Sequence, residues 1–519
     1  YGVFTYCGAP DDVFLPHHPP LKPIVDQFIG GQYEQTWEGW AYVGITTIIT
    51  LFLAFFVLGF ALVRKKISLG SFQKHYLLHA FVASLPLLAL SWAFPFKFFP
   101  QLLEHFPIVT QFRSLGRFAW PFFYVSTLSS IYLLNFFVGY TQKKGIGPLG
   151  LTAVLIGTFC YILEGYQAQK EVASSIVACP NYFREDLRPS IFKTNLDKID
   201  TDRYQAILPI PYYYQGSGNF FKRPQGGSMH MAMLSSVYTG LPTLSGLCSR
   251  GDVWESRNLL QLLSAPYYPK KIKADLPSDK AVLLVRSNND EYISPAEQSI
   301  LDKAKLIAQN EAGYGFYELQ LNQLFKDETK QVIQEFETTK ESMYQKKGWY
   351  VQDSTTYIVE DGFDARIEEI SLYGGGALRL PKEGSNLIKE FKTAPENQSQ
   401  EVEYHLRIWV YNGKMDAMNY VFFVTKGFDG QALHDFNVSR PDEATTIMGD
   451  WSLVSFNFKV PAGSFQSIQL SSYSALQSKT HIIVDELLVY TKSSNVYKVL
   501  EKKDSQTRQL IFNGHRLGR

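Results

Sequence analysis

The chain has 519 residues, with 50 Lys+Arg against 49 Asp+Glu and a formal net charge of +1. That balance excludes the basic surface on which nucleic-acid binding depends, and four cysteines are too few for a disulfide scaffold. The mean hydropathy of −0.11 averages two unlike parts, an apolar, aromatic first third and a polar remainder.

Residues 1–39 read as an external loop rather than as a beginning, so further sequence upstream of Tyr1 is expected. Asp11, Asp12, His17 and His18 lie close together there, and carboxylate with imidazole is a donor set for a divalent metal. Pro19 and Pro20 favour extended backbone, in which neighbouring side chains point apart, so a solvated loop competes with that reading. Glu34 and Glu38, just before the first apolar run, suit acid–base work at a bilayer edge or simply face water.

Residues 40–63 carry no charge and are long enough to cross hydrocarbon. Further apolar stretches at 76–94, 118–140 and 147–166 make about four membrane spans. Pro86 inside the second can be accommodated by helix neighbours, and Cys160 in the fourth is an apolar filler. The connections RKKISLGSFQKH and TQKKGIG are basic, which places both in the cytoplasm. The first loop, residues 95–117 and everything after Tyr166 are then expected outside, in a bacterial-type envelope. The phenylalanines, leucines and isoleucine of 95–117 suggest a helix lying in the outer interface.

Residues 167–347 alternate strand-like runs (AILPIPYYY, KAVLLVRS) with helical ones, an α/β pattern ending in a charged helical connector. Ser294-Pro295-Ala296-Glu297 is a helix-opening signature. Lys222 and Arg223 with Gly226 and Gly227 form a polar loop whose amides could hold an anion. It lacks the Gly-Lys-Ser/Thr order of a phosphate-binding loop, so nucleotide hydrolysis is excluded. Cys179 and Cys248 fall in the region placed outside, where disulfides persist, and form the candidate pair.

Residues 348–492 change to short alternating strands separated by Gly, Asn and Asp turns, the pattern of an antiparallel β-sandwich. Trp409, Tyr411 and Trp451 on those strands are candidates for stacking on a sugar face, with core burial as the competing reading. Residues 493–519 read as a tail with one weak strand or helix.

Two stretches carry a resemblance to known families. QFRSLGRFAWPFFYVST (111–127) resembles the external loop and following aromatic helix of multi-pass GT-C-type membrane glycosyltransferases. GQYEQTWEGWAYVG and RYQAILPIPYYY look like parts of the same architecture. The resemblance covers roughly residues 1–340. It implies sugar transfer from a polyprenyl-phosphate-linked donor to an envelope glycan or lipid on the outer face. The acidic catalytic residue of such enzymes lies in their first external loop, so the resemblance puts it upstream of Tyr1. Arg113 and Arg117, four apart and both able to make bidentate phosphate contacts, would then hold the donor phosphate; lipid headgroup contact is the competing reading.

DWSLVSFNFKVP (450–461), HIIVDELLVY and DGFDARIEEISLYGGGALRL together resemble jelly-roll carbohydrate-binding modules over about residues 350–492. That resemblance implies a jelly roll and a structural calcium held by Asp485 with Glu360, Asp361 or Asp364. Expected partners are the bilayer, a lipid-linked sugar and a glycan acceptor. The alternative function is a non-enzymatic envelope subunit that binds glycan or other envelope proteins through the sandwich.

Overall fold

The computed structural model describes residues 4–518 apart from 5, 30–35, 37, 65–75, 113, 180, 188, 196–197, 226, 249–250, 288–291, 312, 367, 382–383, 396–398, 414–417, 419–420, 475–480, 493–494 and 502–507. The chain divides into two compact units, Tyr1–Pro180 and Asn181–Arg519.

The first unit is helical. Two short helices, α1 (Asp11–Phe14) and α2 (Leu21–Ile29), precede α3 (Ile45–Val63), α4 (Tyr76–Ser91), the brief α5 (Leu102–His105), α6 (Ala119–Lys143) and α7 (Gly147–Ala178). Leu115–Lys143 and Gly147–Ala178 are long and apolar enough to cross a membrane; the apolar helices Ile45–Val57 and Tyr76–Ser91 are shorter. Large apolar residues face outward, Phe55 being 73% and Phe136 64% exposed, while Ser126, Ser130 and Gly157 are buried between helices. Small residues there let the helix backbones approach closely.

Glu164 on α7 supplies one specific tie. Its carboxylate accepts the Tyr42 hydroxyl at 2.7 Å and the Ile45 backbone N–H at 3.2 Å, so it satisfies a donor at the start of α3. The segment 95–117 is not the single interfacial helix expected. Pro95, Pro100 and Pro107 interrupt it, leaving turns, α5 and two short 3-10 stretches that bury Phe96, Leu103, Val109 and Leu115 together.

The second unit opens with a mixed sheet. Its strands β1 (Tyr204–Ile210), β4 (Ala281–Arg286), β5 (Lys305–Gln309) and β6 (Gly315–Leu319) run in the order β1-β4-β6-β5, with only β1 and β4 parallel. β2 (Tyr214–Gln215) and β3 (Gly246–Leu247) form a small separate pair. β1 is buried along its whole length, which explains its continuous rather than alternating apolar run. Its helices are α8 (Ser190–Asn195), α9 (Ser228–Thr239), α10 (Val253–Leu260), α11 (Pro295–Asp302), α12 (Leu321–Leu324) and α13 (Thr329–Thr339). Leu208 and Leu284 pack on one side, Ile207 and Leu283 on the other. The predicted start of α11 is a full capping box, with Glu297 returning to the Ser294 N–H at 2.8 Å.

Then come β7 (Tyr344–Lys346) and β8 (Trp349–Val351), and the sandwich itself. Its strands are β9 (Ile358–Asp361), β10 (Leu378–Leu380), β11 (Gly384–Lys392), β12 (Val402–Tyr411), β13 (Val421–Phe428), β14 (Leu433–Ser439), β15 (Thr446–Met448), β16 (Trp451–Val460), β17 (Ser467–Ser474) and β18 (Ile482–Thr491). One sheet runs β10-β18-β12-β16-β15 with β9 on β18; the other runs β11-β17-β13-β14. Leu406, Phe423, Leu470 and Val489 fill the space between them.

The chain's last residues are not a tail. β19 (Val496–Glu501), β20 (Arg508–Phe512) and β21 (His515–Leu517) join β8 and β7 in a five-stranded sheet. Trp349, Val351 and Ile511 of that sheet pack on Leu488 and Tyr490 of β18, covering the outer side of the β12–β18 sheet. The helical connector accordingly ends with α13 and a 3-10 turn at Lys340–Ser342, and Tyr344–Lys346, expected as its last turn, are strand.

Candidate functional site

In the first unit, close backbone packing brings three loop segments together. A Cβ on Gly39 would lie 2.7 Å from an Asp12 oxygen, and one on Gly116 would lie 2.8 Å from the Gly39 nitrogen. Only glycine permits that approach. Asp12 is fully buried; its carboxylate accepts the Ala9 N–H at 2.7 Å, the Thr36 N–H at 2.8 Å and the Thr36 hydroxyl. It therefore ties loops together rather than holding a metal. Asp11 lies on α1 and lends its carbonyl to His17, while His18 pairs with Glu171 at 2.9 Å and packs against the Trp40 ring. The four residues singled out for a divalent metal thus do not group as metal donors.

Gly116 sets Arg117 opposite Glu38. Arg117 donates to the Glu38 carboxylate through Nε at 2.6 Å and Nη2 at 3.1 Å, a bidentate pair between residues 79 apart in sequence. The Arg117 hydrogen bond holds the Glu38 carboxyl below its ordinary value, so Glu38 is an ionised anchor, not a proton donor. The Glu38 side chain is 18% exposed and that of Arg117 70%. Arg113 and Glu34 lie outside the described residues, as does Gly226.

In the second unit the two expected stacking tryptophans are not accessible, and Tyr411 is only half-buried. Trp409 and Trp451 are 1% and 6% exposed, buried with Tyr268, Leu453 and Ile483, and Tyr411 packs edge-on against Trp451. The cause is α10 and the segment after it. Arg257 reaches Asp450 at 2.7 Å, Ser264 bonds the Thr445 carbonyl at 3.0 Å, and Tyr268 sits edge-on to Trp409. These rings hold the α/β part to the sandwich.

The calcium arrangement is also replaced. Asp485 accepts backbone N–H groups from Leu372, Tyr373 and Glu486 at 2.8, 3.2 and 2.8 Å, and burial pushes its carboxyl up to about 6. Glu360 accepts from the Trp349 indole and from Lys498, Asp364 from the Gly375 N–H, and Asp361 pairs with Lys389. Among the described residues no three His, Cys, Asp or Glu side chains group as metal donors. Beside Asp485, Glu486 has a left-handed backbone (φ +50°) and pairs with Arg516 at 2.8 Å; burial pushes it up to about 7. Lys222 and Arg223 face Glu297 and Glu443 at 3.5 and 3.4 Å, so their loop offers no pair of open cations to an anion. Cys7, Cys160, Cys179 and Cys248 are all free thiols, and the expected Cys179–Cys248 bridge is absent; the two sit in different compact units, each exposed.

Sequence reading did not single out the outward face of the β11-β17-β13-β14 sheet. Tyr473 and Phe422 stand opposite each other there, with ring centroids 6.4 Å apart. The alternation of VFFVTKGF held the signal: Phe423 and Thr425 are buried, which turns Phe422 and Val424 outward.

A model of a domain of unknown function, DUF6311, matches residues 12–156. No curated protein matches the chain. Among solved structures, the CBM22-1–GH10 modules of Clostridium thermocellum endo-1,4-β-D-xylanase 10B, complexed with xylohexaose, are 16% identical at a TM-score of 0.18. That likeness covers 28% of this chain and 26% of the xylanase, so the chain spans about a quarter of that relative. A xylan-binding domain from family CBM22 is 10% identical over 28% of this chain and 88% of that one, again at 0.18. The VP2 subviral particle of infectious bursal disease virus is 9% identical over 27% of this chain and 33% of that one, also at 0.18. Such distant likenesses carry no argument about ligand.

Proposed function

We propose that this chain is the membrane-anchored part of a GT-C-like envelope protein that transfers a sugar from a polyprenyl-phosphate-linked donor on the outer face. In this reading four helices (α3, α4, α6 and α7) span the bilayer, and the second unit lies outside and holds the acceptor glycan. One observation carries it. Arg117 is fixed by Glu38 through Nε and Nη2, yet its side chain stays 70% exposed. A guanidinium so held is pre-set to offer its remaining donors to a phosphate. The amphipathic α2 supports the membrane layout, since Phe28 is 85% exposed on its apolar side.

The experiment is sugar transfer in proteoliposomes from a synthetic polyprenyl-phosphate-linked donor. Arg117→Gln is expected to cut transfer at least about tenfold, and Arg117→Lys to recover little, because an ammonium lacks the planar fork. Full activity in Arg117→Gln rejects the role.

A second reading is a non-enzymatic envelope subunit. It is favoured by the engagement of both Asp12 and Glu38, the first by backbone and Thr36, the second by Arg117. Neither is free to act as a base. Absence of transfer by the full wild-type protein, with the fold intact, decides for the subunit.

A further inference from the structure

The charges of the helical unit are segregated along its helices. In sequence no Asp or Glu lies between Glu38 and Glu104, nor between Glu104 and Glu164. Glu38 and Glu164 are engaged where α6 and α3 begin, the first by Arg117 and the second by the Ile45 N–H. Ala41 and Val43, just before α3, pack with Ala119 and Phe122 at the start of α6, so the two helices set out from one end. With 19 and 25 residues they run about 28 and 37 Å, at about 1.5 Å per residue. They finish at the opposite end on Arg64 and on Lys143 and Lys144, all three exposed.

The turn that carries the two lysines is tight. Gly145 has a left-handed backbone (φ +74°), the Ile146 N–H returns to the Thr141 carbonyl at 3.0 Å, and Gly150 packs on the buried Thr141. The Lys144 Nζ stands 6.0 Å from the Tyr140 ring centroid, and the Arg64 guanidinium lies over the Phe60 ring at 4.0 Å. Phe60, Val63 and Tyr140 are themselves exposed, so the cations border directly on apolar surface. About one turn inside them, Gly59 and Gly139 have no neighbour among the described residues within 4 Å of where a Cβ would stand. The helix surface is open there, at the depth where an acyl chain begins below a headgroup.

That pairing of features selects the occupant. A free phosphate or a nucleic acid would meet the cations and gain nothing from Phe60, Val63 and the open glycine positions. A zwitterionic lipid would cover the apolar surface, and its own cation would offset its attraction to Arg64, Lys143 and Lys144. A lipid with a net negative headgroup satisfies both, and each Lys or Arg near such a surface adds about 1 kcal/mol, roughly a fivefold change.

We propose that the far ends of α3 and α6 bind an anionic phospholipid, with Arg64, Lys143 and Lys144 on its phosphate and an acyl chain along Gly59 and Gly139. The site rests on the membrane layout proposed above, in which this end meets the cytoplasmic leaflet, and it names the lipid class that leaflet supplies.

The test is native mass spectrometry of the full chain released from micelles that contain phosphatidylglycerol and phosphatidylcholine of the same acyl chains in equal amounts. Wild type should retain phosphatidylglycerol in at least about tenfold excess. Arg64→Gln, Lys143→Gln and Lys144→Gln should each weaken that retention about fivefold and the triple variant about a hundredfold, whereas Lys143→Arg with Lys144→Arg should keep it. Glycerol 3-phosphate, which has the phosphate without the chains, should not displace the lipid at equal concentration. Thermal melting of each variant checks the fold, which a surface substitution leaves nearly unchanged. Equal retention of the two lipids by wild type overturns the proposal, as does undiminished retention by the folded triple variant or displacement by glycerol 3-phosphate. Micelles have no sides, so binding is scored without regard to orientation. Vesicle labelling that inverted the layout would move the site to the other leaflet and leave the binding standing, whereas loss of lipid selectivity with the layout intact removes this site alone.

Discussion

Trp409 and Tyr473 are both aromatic residues on alternating strands, and their surroundings bury the first and expose the second. Trp409 is buried against Tyr268, Leu453 and Ile483, so Trp409→Ala should cost about 3–5 kcal/mol in denaturant unfolding and act on glycan binding only through that loss. A folded Trp409→Ala protein of wild-type stability would overturn that account. Glu486 gives a residue-scale test in pH. Its value of about 7 lies above the ordinary 4.5 because burial favours the protonated form. The stability tied to it is complete below about 4.5 and is lost as pH rises through about 7. The thermal midpoint should therefore fall between about pH 5 and about pH 8, and Glu486→Gln, which cannot ionise, should flatten that fall. Asp485, at about 6, titrates in an overlapping window, so the slope should shrink rather than vanish. An unchanged slope in Glu486→Gln would remove Glu486 as its source.

At the scale of elements, legibility followed the length and regularity of each pattern. The sandwich was readable because β12, β13 and β16 are long enough for alternation to show. The capping box of α11 was readable because its chemistry is local. Alternation cannot say which of two faces another layer will cover, so Trp409 and Trp451 were proposed for stacking while Phe422 and Tyr473 passed unnoticed. The bidentate Arg117–Glu38 pair, between residues 79 apart, had no local signal either. β19 to β21 were missed because each is short, and β8, the strand on which β19 pairs, lies about 150 residues earlier in the chain. Those strands now carry a prediction of their own. A chain ending after Thr491 loses Ile511 and Val496 from the cluster that covers Leu488, Tyr490, Trp349 and Val351. It should bind a hydrophobic dye and aggregate on purification, whereas a dispensable tail would leave a monodisperse protein with unchanged melting.

For the whole molecule, the segregation of surfaces supports the proposed membrane layout. Helices α6 and α7 expose Phe136, Leu155, Phe159 and Ile162, whereas the second unit surrounds its cores with paired charges such as Arg203–Glu318, Arg379–Glu368 and Lys492–Glu403. Water cannot solvate the first kind of surface cheaply, and hydrocarbon cannot solvate the second. The free cysteines report on this without engineering. Cys179, just after α7, and Cys248, in the second unit, are exposed, while Cys160 lies within α7. A membrane-impermeant maleimide applied to sealed cells or right-side-out vesicles should label Cys179 and Cys248 without reductant, and Cys179→Ser and Cys248→Ser should each remove one adduct. Cys160, within α7, should react only with a permeant reagent, because in the proposed layout it meets little aqueous probe. Labelling of Cys248 that appears only after the membrane is opened would put the sandwich on the cytoplasmic side. An outer-face sugar acceptor could not then reach it, and the transfer reading would fall.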